Sequence, residues 1–179
     1  MKIAVLTPED WQLLRHIRLK ALADTPDAFT STFAADNAKT EADWRGLLDN
    51  PEWRTFVAFV DGEPAGMVRA GTLEGRKGLF SMWVDQQFRG KSVGDRLISS
   101  VIDWARLEGA PSLYLEVADL NSSAIKLYER HGFVPTGKVS SLPPSRAERK
   151  EHEGLLDYNS SHVQQNVLTI TAELNEPDR

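Results

Sequence analysis

The chain has 179 residues, 41% of them apolar, a formal net charge of −5 and no cysteine. That length and apolar share suit one domain with a real core. The acidic balance argues against a nucleic-acid binder, which needs a basic face, but leaves room for a local basic cradle. Without cysteine there are no disulfides, thiolate zinc sites or cysteine nucleophiles. The short apolar run in "MKIAVLTPEDW" is not a signal peptide and no segment is long enough to span a membrane, so the sequence reads as a soluble, cytoplasmic protein.

"KIAVL", Lys2 to Leu6, predicts a first strand. Thr7, Pro8, Glu9 and Asp10 supply a cap, a first-turn proline and acidic residues suited to a helix dipole. Trp11, Leu14, Ile17, Ala21 and Leu22 then recur at helical spacing to about Ala23. "DTPDAF" breaks that helix, and Thr40 with Asp43 caps a second, short one through Leu48. "RTFVAFV" (Arg54 to Val60), the turn Asp61-Gly62 and "PAGMVRAGTL" predict a hairpin, and Gly78 to Val84 a third strand beside it. Val93, Leu97, Ile98, Val101, Ile102 and Ala105 mark one face of a long helix that ends near Gly109. Ser112 to Val117 reads as a buried-type strand. A helix capped at Asn121 and stopped at Gly132 follows, then a strand in "FVPTGKV". Leu168, Ile170, Ala172 and Leu174 alternate, which predicts a last strand in "NVLTITAEL". Before it, about 140–165 is a long polar insertion, read as holding a short helix around Arg146 to Leu156 or as mobile. The order predicts a mixed α/β sheet with helices on its faces, all in one domain over 1–179, with parallel crossovers around the long helix and the one after it.

The turn "QFRGKSVGDRL", Gln87 to Leu97, sits between a strand and a helix. Small residues at a helix N-terminus leave N–H groups and positive dipole potential free, and that combination binds phosphate. Gly90 and Gly94 permit close backbone approach, Arg89 and Lys91 add charge, and Ser92 and Val93 offer N–H groups. Ser92 fits that role only if its backbone is not left-handed. From the turn alone a second reading stays open: a capped helix with surface basic residues. The dinucleotide fingerprint and the Walker loop are both absent.

"MWVDQQFRGKSVGDRLISSVIDWA" followed by "LYLEVADLNSSAIKLYERHGFVPTG" resembles the core of the GNAT N-acetyltransferase superfamily, closely over about Phe80 to Gly137. The family's signature turn maps to Arg89, Ser92 and Gly94, with Ser92 in place of the family's middle glycine. The resemblance implies a mixed, mostly antiparallel central sheet with a splayed strand pair and helices on both faces. It implies acetyl-CoA as co-substrate, its pyrophosphate on Arg89 to Gly94 (Gly90, Lys91, Ser92 and Val93 included). Its pantetheine arm would run along Met82, Trp83 and Val84, with Asn121 beside it and Tyr128 near the sulfur. A homodimer is a further implication.

Acetyl transfer to an amine needs a base for the ammonium, donors for the developing oxyanion and an acid for the departing thiolate. Glu116, in an otherwise apolar strand, is the candidate base, since burial would raise its pKa toward neutrality. It could act directly or through a water, and a partly solvated or Arg-tied strand-end role stays open. Tyr128 is the candidate acid, with helix packing as the other reading. A backbone N–H near Trp83 or Val84 could polarise the carbonyl. On the first helix Arg15 and Arg18, with Phe29 and Trp44, are weaker candidates for an acceptor site. His16, His131, His152 and His162 lack metal spacing, so no metal is expected. His131 reads as a cap or surface residue, "EHE" (Glu151 to Glu153) as solvated, and Trp83 and Trp104 as packing.

These residues predict an acetyl-CoA-dependent N-acetyltransferase using direct attack in a ternary complex. The expected acceptor is a small-molecule amine, with no nucleic-acid or membrane partner. A protein N-terminal or lysine acetyltransferase is the nearer alternative. An acyl-CoA-binding sensor with little turnover is the alternative of another class.

Overall fold

The computed structural model describes residues 1–119, 121–141 and 150–158. Strands β1 (Lys2–Val5), β2 (Trp53–Val60), β3 (Glu63–Leu73), β4 (Arg76–Val84), β5 (Ser112–Ala118), β6 (Val134–Ser141) and β7 (Lys150–Asp157) form one seven-stranded sheet in the order β1-β2-β3-β4-β5-β7-β6. Only β4 and β5 pair in parallel; every other neighbouring pair is antiparallel. Helices α1 (Trp11–Asp24), α2 (Phe33–Asn37) and α3 (Glu41–Asp49) precede the hairpins, α4 (Val93–Leu107) joins β4 to β5, and α5 (Ser122–Arg130) joins β5 to β6. Among the described residues no helix is long and apolar enough to cross a membrane.

Two cores lie on opposite faces. Leu14, Ile17 and Leu22 of α1 and Trp44 of α3 pack against Val57, Met67 and Trp83. Leu97, Ile98 and Val101 of α4 and Tyr128 of α5 pack against Phe56, Ala58, Val68 and Leu79. Strand β2 is therefore a continuous apolar run because alternate residues enter different cores.

Local chemistry sets the element ends. The Thr40 hydroxyl accepts from the Asp43 N–H at 3.3 Å while Asp43 accepts from the Thr40 N–H at 2.8 Å, closing the expected capping box. Asp61 and Gly62 are both left-handed (φ 51° and 87°), as are Glu74 and Gly75 (φ 52° and 75°), which suits the tight turns of two successive hairpins. Asn121 caps α5 by accepting from the Ala124 N–H at 3.2 Å.

The structure departs from expectation at two places. Helix α2 was not anticipated; five residues are too few to show a period. Residues 150–157 form a strand rather than part of a helix, and that strand sits between β5 and β6, so the crossover around α5 joins strands that are not neighbours. The strand was hidden because charged residues are depleted in strands. Here Glu153 is buried and satisfied by Arg76, Lys138 and Thr136 instead of by apolar packing. The last predicted strand, 166–174, lies outside the described residues.

Two glycines give a contrast that checks this packing. A Cβ on Gly66 would stand 2.7 Å from the Trp83 carbonyl oxygen, whereas one on Gly46 of α3 would meet nothing within 4 Å. Gly66→Ala is expected to cost about 1–3 kcal/mol by overpacking, and Gly46→Ala to gain about 0.5–1 kcal/mol from helix propensity. Urea denaturation of the two variants measures both.

Candidate functional site

The site starts from a bulge. Met67 pairs with Trp83, but the next pair is Arg69 with Phe80, so Ser81 and Met82 together face Val68. Ser81 is left-handed, with φ 52°, as an extra residue in a bulged strand can be. Beyond the bulge β4 leaves β5. The two strands pair only at Gly78–Tyr114 and Leu79–Leu115. Their divergence opens a groove of about 740 Å³ whose lining includes the turn before α4, Met82 to Val84, Glu116 and Glu151. This is the expected splayed pair. Nothing in the sequence marked Ser81, because a bulge depends on how two strands pair.

Part of that lining is the glycine-bearing turn. Gly90 and Ser92 are left-handed (φ 74° and 60°), and Ser92 is the N-cap of α4. The N–H groups of Val93, Gly94 and Asp95 belong to the first helical turn, where the helix offers no acceptor. Left-handed residues alternating with ordinary ones at a helix N-terminus make a concave anion site. The turn therefore fits a phosphate group.

Ser92 overturns the condition set by sequence, since it is left-handed. The turn imposes that geometry, and a serine side chain bears a strain of about 1–2 kcal/mol that glycine would not. Gly94 has a different reason to be glycine: a Cβ there would come within 3.0 Å of Leu127, so it lets α4 approach α5. Arg89 lines the groove, yet its guanidinium also pairs with Asp24 and its Nε donates to the Val84 carbonyl at 2.9 Å. Lys91 is exposed, with its ammonium 5.5 Å from the Phe88 ring centroid, and is not in the groove lining.

Two carboxylates absent from the sequence reading pin the groove walls. Asp24, at the end of α1, accepts from Trp83 Nε1 at 2.9 Å and Gln86 Nε2 at 2.6 Å as well as from Arg89. Burial pushes its carboxyl up, but those hydrogen bonds and the Arg89 charge win and hold it below the usual range. Trp83 therefore does more than pack. Asp95, in the first turn of α4, takes both guanidinium nitrogens of Arg130 at 2.7 and 2.8 Å and lies 3.0 Å from His131 Nε2. The Arg130 hydrogen bond, opposed by burial and helped by His131, lowers its carboxyl to about 2. His131 is the C-cap of α5, and its side chain is only 16% exposed, so it serves as a tie between helices.

The same lining holds the reactive candidates. Tyr128 is buried in the groove lining, its ring edge-on to Phe133 at 6.0 Å between centroids. Burial raises its phenol above the ordinary tyrosine value. Asn121 lines the groove from the α5 cap. Glu116 also lines it, but is exposed, and accepts from the Ser140 hydroxyl at 3.2 Å. The burial expected of it is absent, because β5 runs free of β4 by that point. Arg18 stacks 4.5 Å above the Phe29 ring, is held by Asp36 at 2.9 Å, and lines the groove with Phe29. Arg15 instead donates to Asn37 at 2.8 Å, and Trp44, at 1% exposure, is core; neither joins Arg18 in the lining. Among the described residues no group of three or more His, Cys, Asp or Glu could hold a metal ion.

The Acetyltransferase (GNAT) family model matches residues 17–133. Streptothricin acetyltransferase of Streptomyces lavendulae is 36% identical over 107 residues, which is 58% of this chain and 57% of that one. The chain thus spans less than two thirds of that relative's length. The fold is similar to a ribosomal-protein-alanine N-acetyltransferase from Brucella melitensis (TM-score 0.73, 20% identity, 88% of this chain and 99% of that one). It is also similar to the PaiA N-acetyltransferase from Thermoplasma acidophilum, solved in complex with coenzyme A (TM-score 0.66, 17% identity, 88% and 100%).

Two outcomes check the site's architecture. Ser92→Gly should leave stability unchanged or raise it by up to about 1 kcal/mol, while β-branched Ser92→Val should lose about 1–2 kcal/mol; urea curves measure both. Asp95 has a depressed carboxyl, so on acidification the unfolded chain takes up that proton before the folded one does. Its stabilising contribution should be complete above about pH 4 and disappear toward about pH 2. Asp95→Asn should flatten that part of the stability–pH curve, read by denaturation at successive pH values.

Proposed function

We propose an activity for a chain that belongs to the Acetyltransferase (GNAT) family: it moves the acetyl group of acetyl-CoA to a primary amine, by direct attack in a ternary complex. One observation carries the reading. A single groove is lined by a turn with the form of an anion site, a buried tyrosine and an exposed glutamate. The N–H groups from Gly90 to Gly94 would take the diphosphate of the donor, with Arg89 adding charge. The free edge of Met82, Trp83 and Val84 would take the pantetheine amides as a strand takes its neighbour. That edge faces the groove because the bulge has already turned β4 from β5.

The chemistry follows from the chain's own groups. Glu116 draws the acceptor's ammonium to the open end of the groove. One proton leaves the ammonium to a carboxylate there, and the nitrogen lone pair then forms a bond to the thioester carbonyl carbon. A backbone N–H near Trp83 or Val84 steadies the oxygen as it gains charge. When the C–S bond breaks, Tyr128 gives its phenolic proton to the sulfur and regains one from the attacking nitrogen. The high phenol pKa suits a donor that must stay protonated until the thiolate forms.

A small amine is the acceptor in this reading, entering the groove that also takes the donor. The names of the similar proteins cover streptothricin and a ribosomal-protein alanine, so they do not favour one acceptor class. A homodimer and a cytoplasmic location belong to this reading too, carried by the family resemblance and composition alone.

The deciding experiment is thiol release from acetyl-CoA with a panel of small amines, peptides and lysine-bearing substrates. Release above background with a small amine is the expected result, and Tyr128→Phe should lower kcat about 10–100-fold. Saturable CoA binding without release for any acceptor would instead mark a sensor.

A further inference from the structure

Glu151 supplies what Glu116 lacks. The register of β5 and β7 pairs Glu116 with Glu153 and Ala118 with Glu151. Directly paired residues share a face, and so do residues two apart, so Glu116 and Glu151 are diagonal neighbours on one face. Both line the groove. Glu116 is exposed and already accepts a hydrogen bond from Ser140, whereas Glu151 is half-buried. The strand-mate Glu153 is committed to Arg76 and Lys138, at 2.9 and 3.3 Å, and cannot serve.

Resting on the acetyltransferase reading, we propose that Glu151 is the general base that accepts the acceptor's proton, while Glu116 holds the acceptor's positive charge beside it. The step breaks an N–H bond of the ammonium and forms an O–H bond on the Glu151 carboxylate, leaving a neutral amine with its lone pair free. Glu151 later returns that proton to solvent through the open end of the groove.

The electrostatics agree with this division. Burial raises the Glu151 carboxyl above the ordinary glutamate value, and the negative charge of Glu116 raises it further. The other charged groups on this face of β5, β6, β7 and β4 are Glu153 with its partners Lys138 and Arg76, and Asp157 at the end of β7; those two carboxylates and two cations carry no net charge together. Ser140 is the residue opposite Glu151 on β6. No cation pairs with Glu151 among the described residues. A carboxylate with a raised pKa is a stronger proton acceptor, which a base for an ammonium requires. Its charged form is needed for catalysis, so activity should climb as pH rises through its pKa.

The test is the pH dependence of kcat/KM for thiol release, with the best amine of the panel, for wild type, Glu151→Gln, Glu151→Asp and Glu116→Gln. Glu151→Gln should lower kcat about 100-fold or more and abolish the acidic limb. Glu151→Asp should keep that limb at a reduced rate, which a merely structural role would not give. Glu116→Gln should raise KM and move the limb to lower pH, because the charge that raises Glu151 is gone. Circular dichroism melts exclude misfolding as the cause, and a titration of the glutamate carboxyl carbons by NMR reads the Glu151 pKa without turnover. If Glu151→Gln keeps the wild-type limb and rate while Glu116→Gln loses both, the base is Glu116 and this inference is overturned with the acetyltransferase reading intact. If wild type releases no thiol with any amine, the acetyltransferase reading fails, and this assignment fails with it.

Discussion

Everything functional in this protein depends on one unfinished strand pairing. Strands β4 and β5 run parallel but pair at only two positions before the bulge at Ser81 turns β4 aside. A closed sheet would satisfy those backbone groups internally and leave no groove. The strain of a left-handed serine is tolerated because strands β2 and β3 on one side and the α4 core below hold β4 firmly elsewhere. The structure stores its cost at the point where it needs an opening.

Charge keeps that opening in shape. The chain is acidic overall, yet the turn before α4 has the form of an anion site, so long-range attraction does not explain the groove. Local pins do. Asp24 joins the end of α1 to Trp83, Gln86 and Arg89, and Asp95 joins the start of α4 to Arg130 and His131 at the end of α5. Each uses a carboxylate held ionised by its partners to tie a helix end to a groove wall. The walls are thus fixed while the space between them stays open.

The β5–β7 side of the groove follows a different logic. It gathers carboxylates: Glu153 is paired with Arg76 and Lys138, whereas among the described residues no cation forms a salt bridge with Glu116 or Glu151. Glu116 is exposed and Glu151 half-buried, although the two side chains are of one type. A row of aromatic rings borders the same face: Trp53 lies 5.0 Å from Phe80, and Phe80 lies 5.7 Å from Tyr114, between centroids. Arg69 and Arg76 stack on the ends of that row, at 4.7 and 4.2 Å. Positive and aromatic groups thus stand next to the carboxylates on this side.

Much was legible in the sequence, and for a common reason. Helices α1, α3, α4 and α5, their caps at Thr40 and Asn121, the hairpin turn at Asp61-Gly62 and the phosphate-type turn all rest on residues close together in the chain. Periodicity and capping chemistry are local, so sequence alone determines them. It also singled out Tyr128, which lies in the groove lining. What sequence could not decide depends on strands brought together from far apart. The bulge at Ser81, the exposure of Glu116 and the meeting of Glu116 with Glu151 all follow from pairing register. A slip of one residue would put each of those side chains on the other face. Only the tertiary structure sets that register, because it is the two packed cores, not any short stretch of residues, that choose which face is buried.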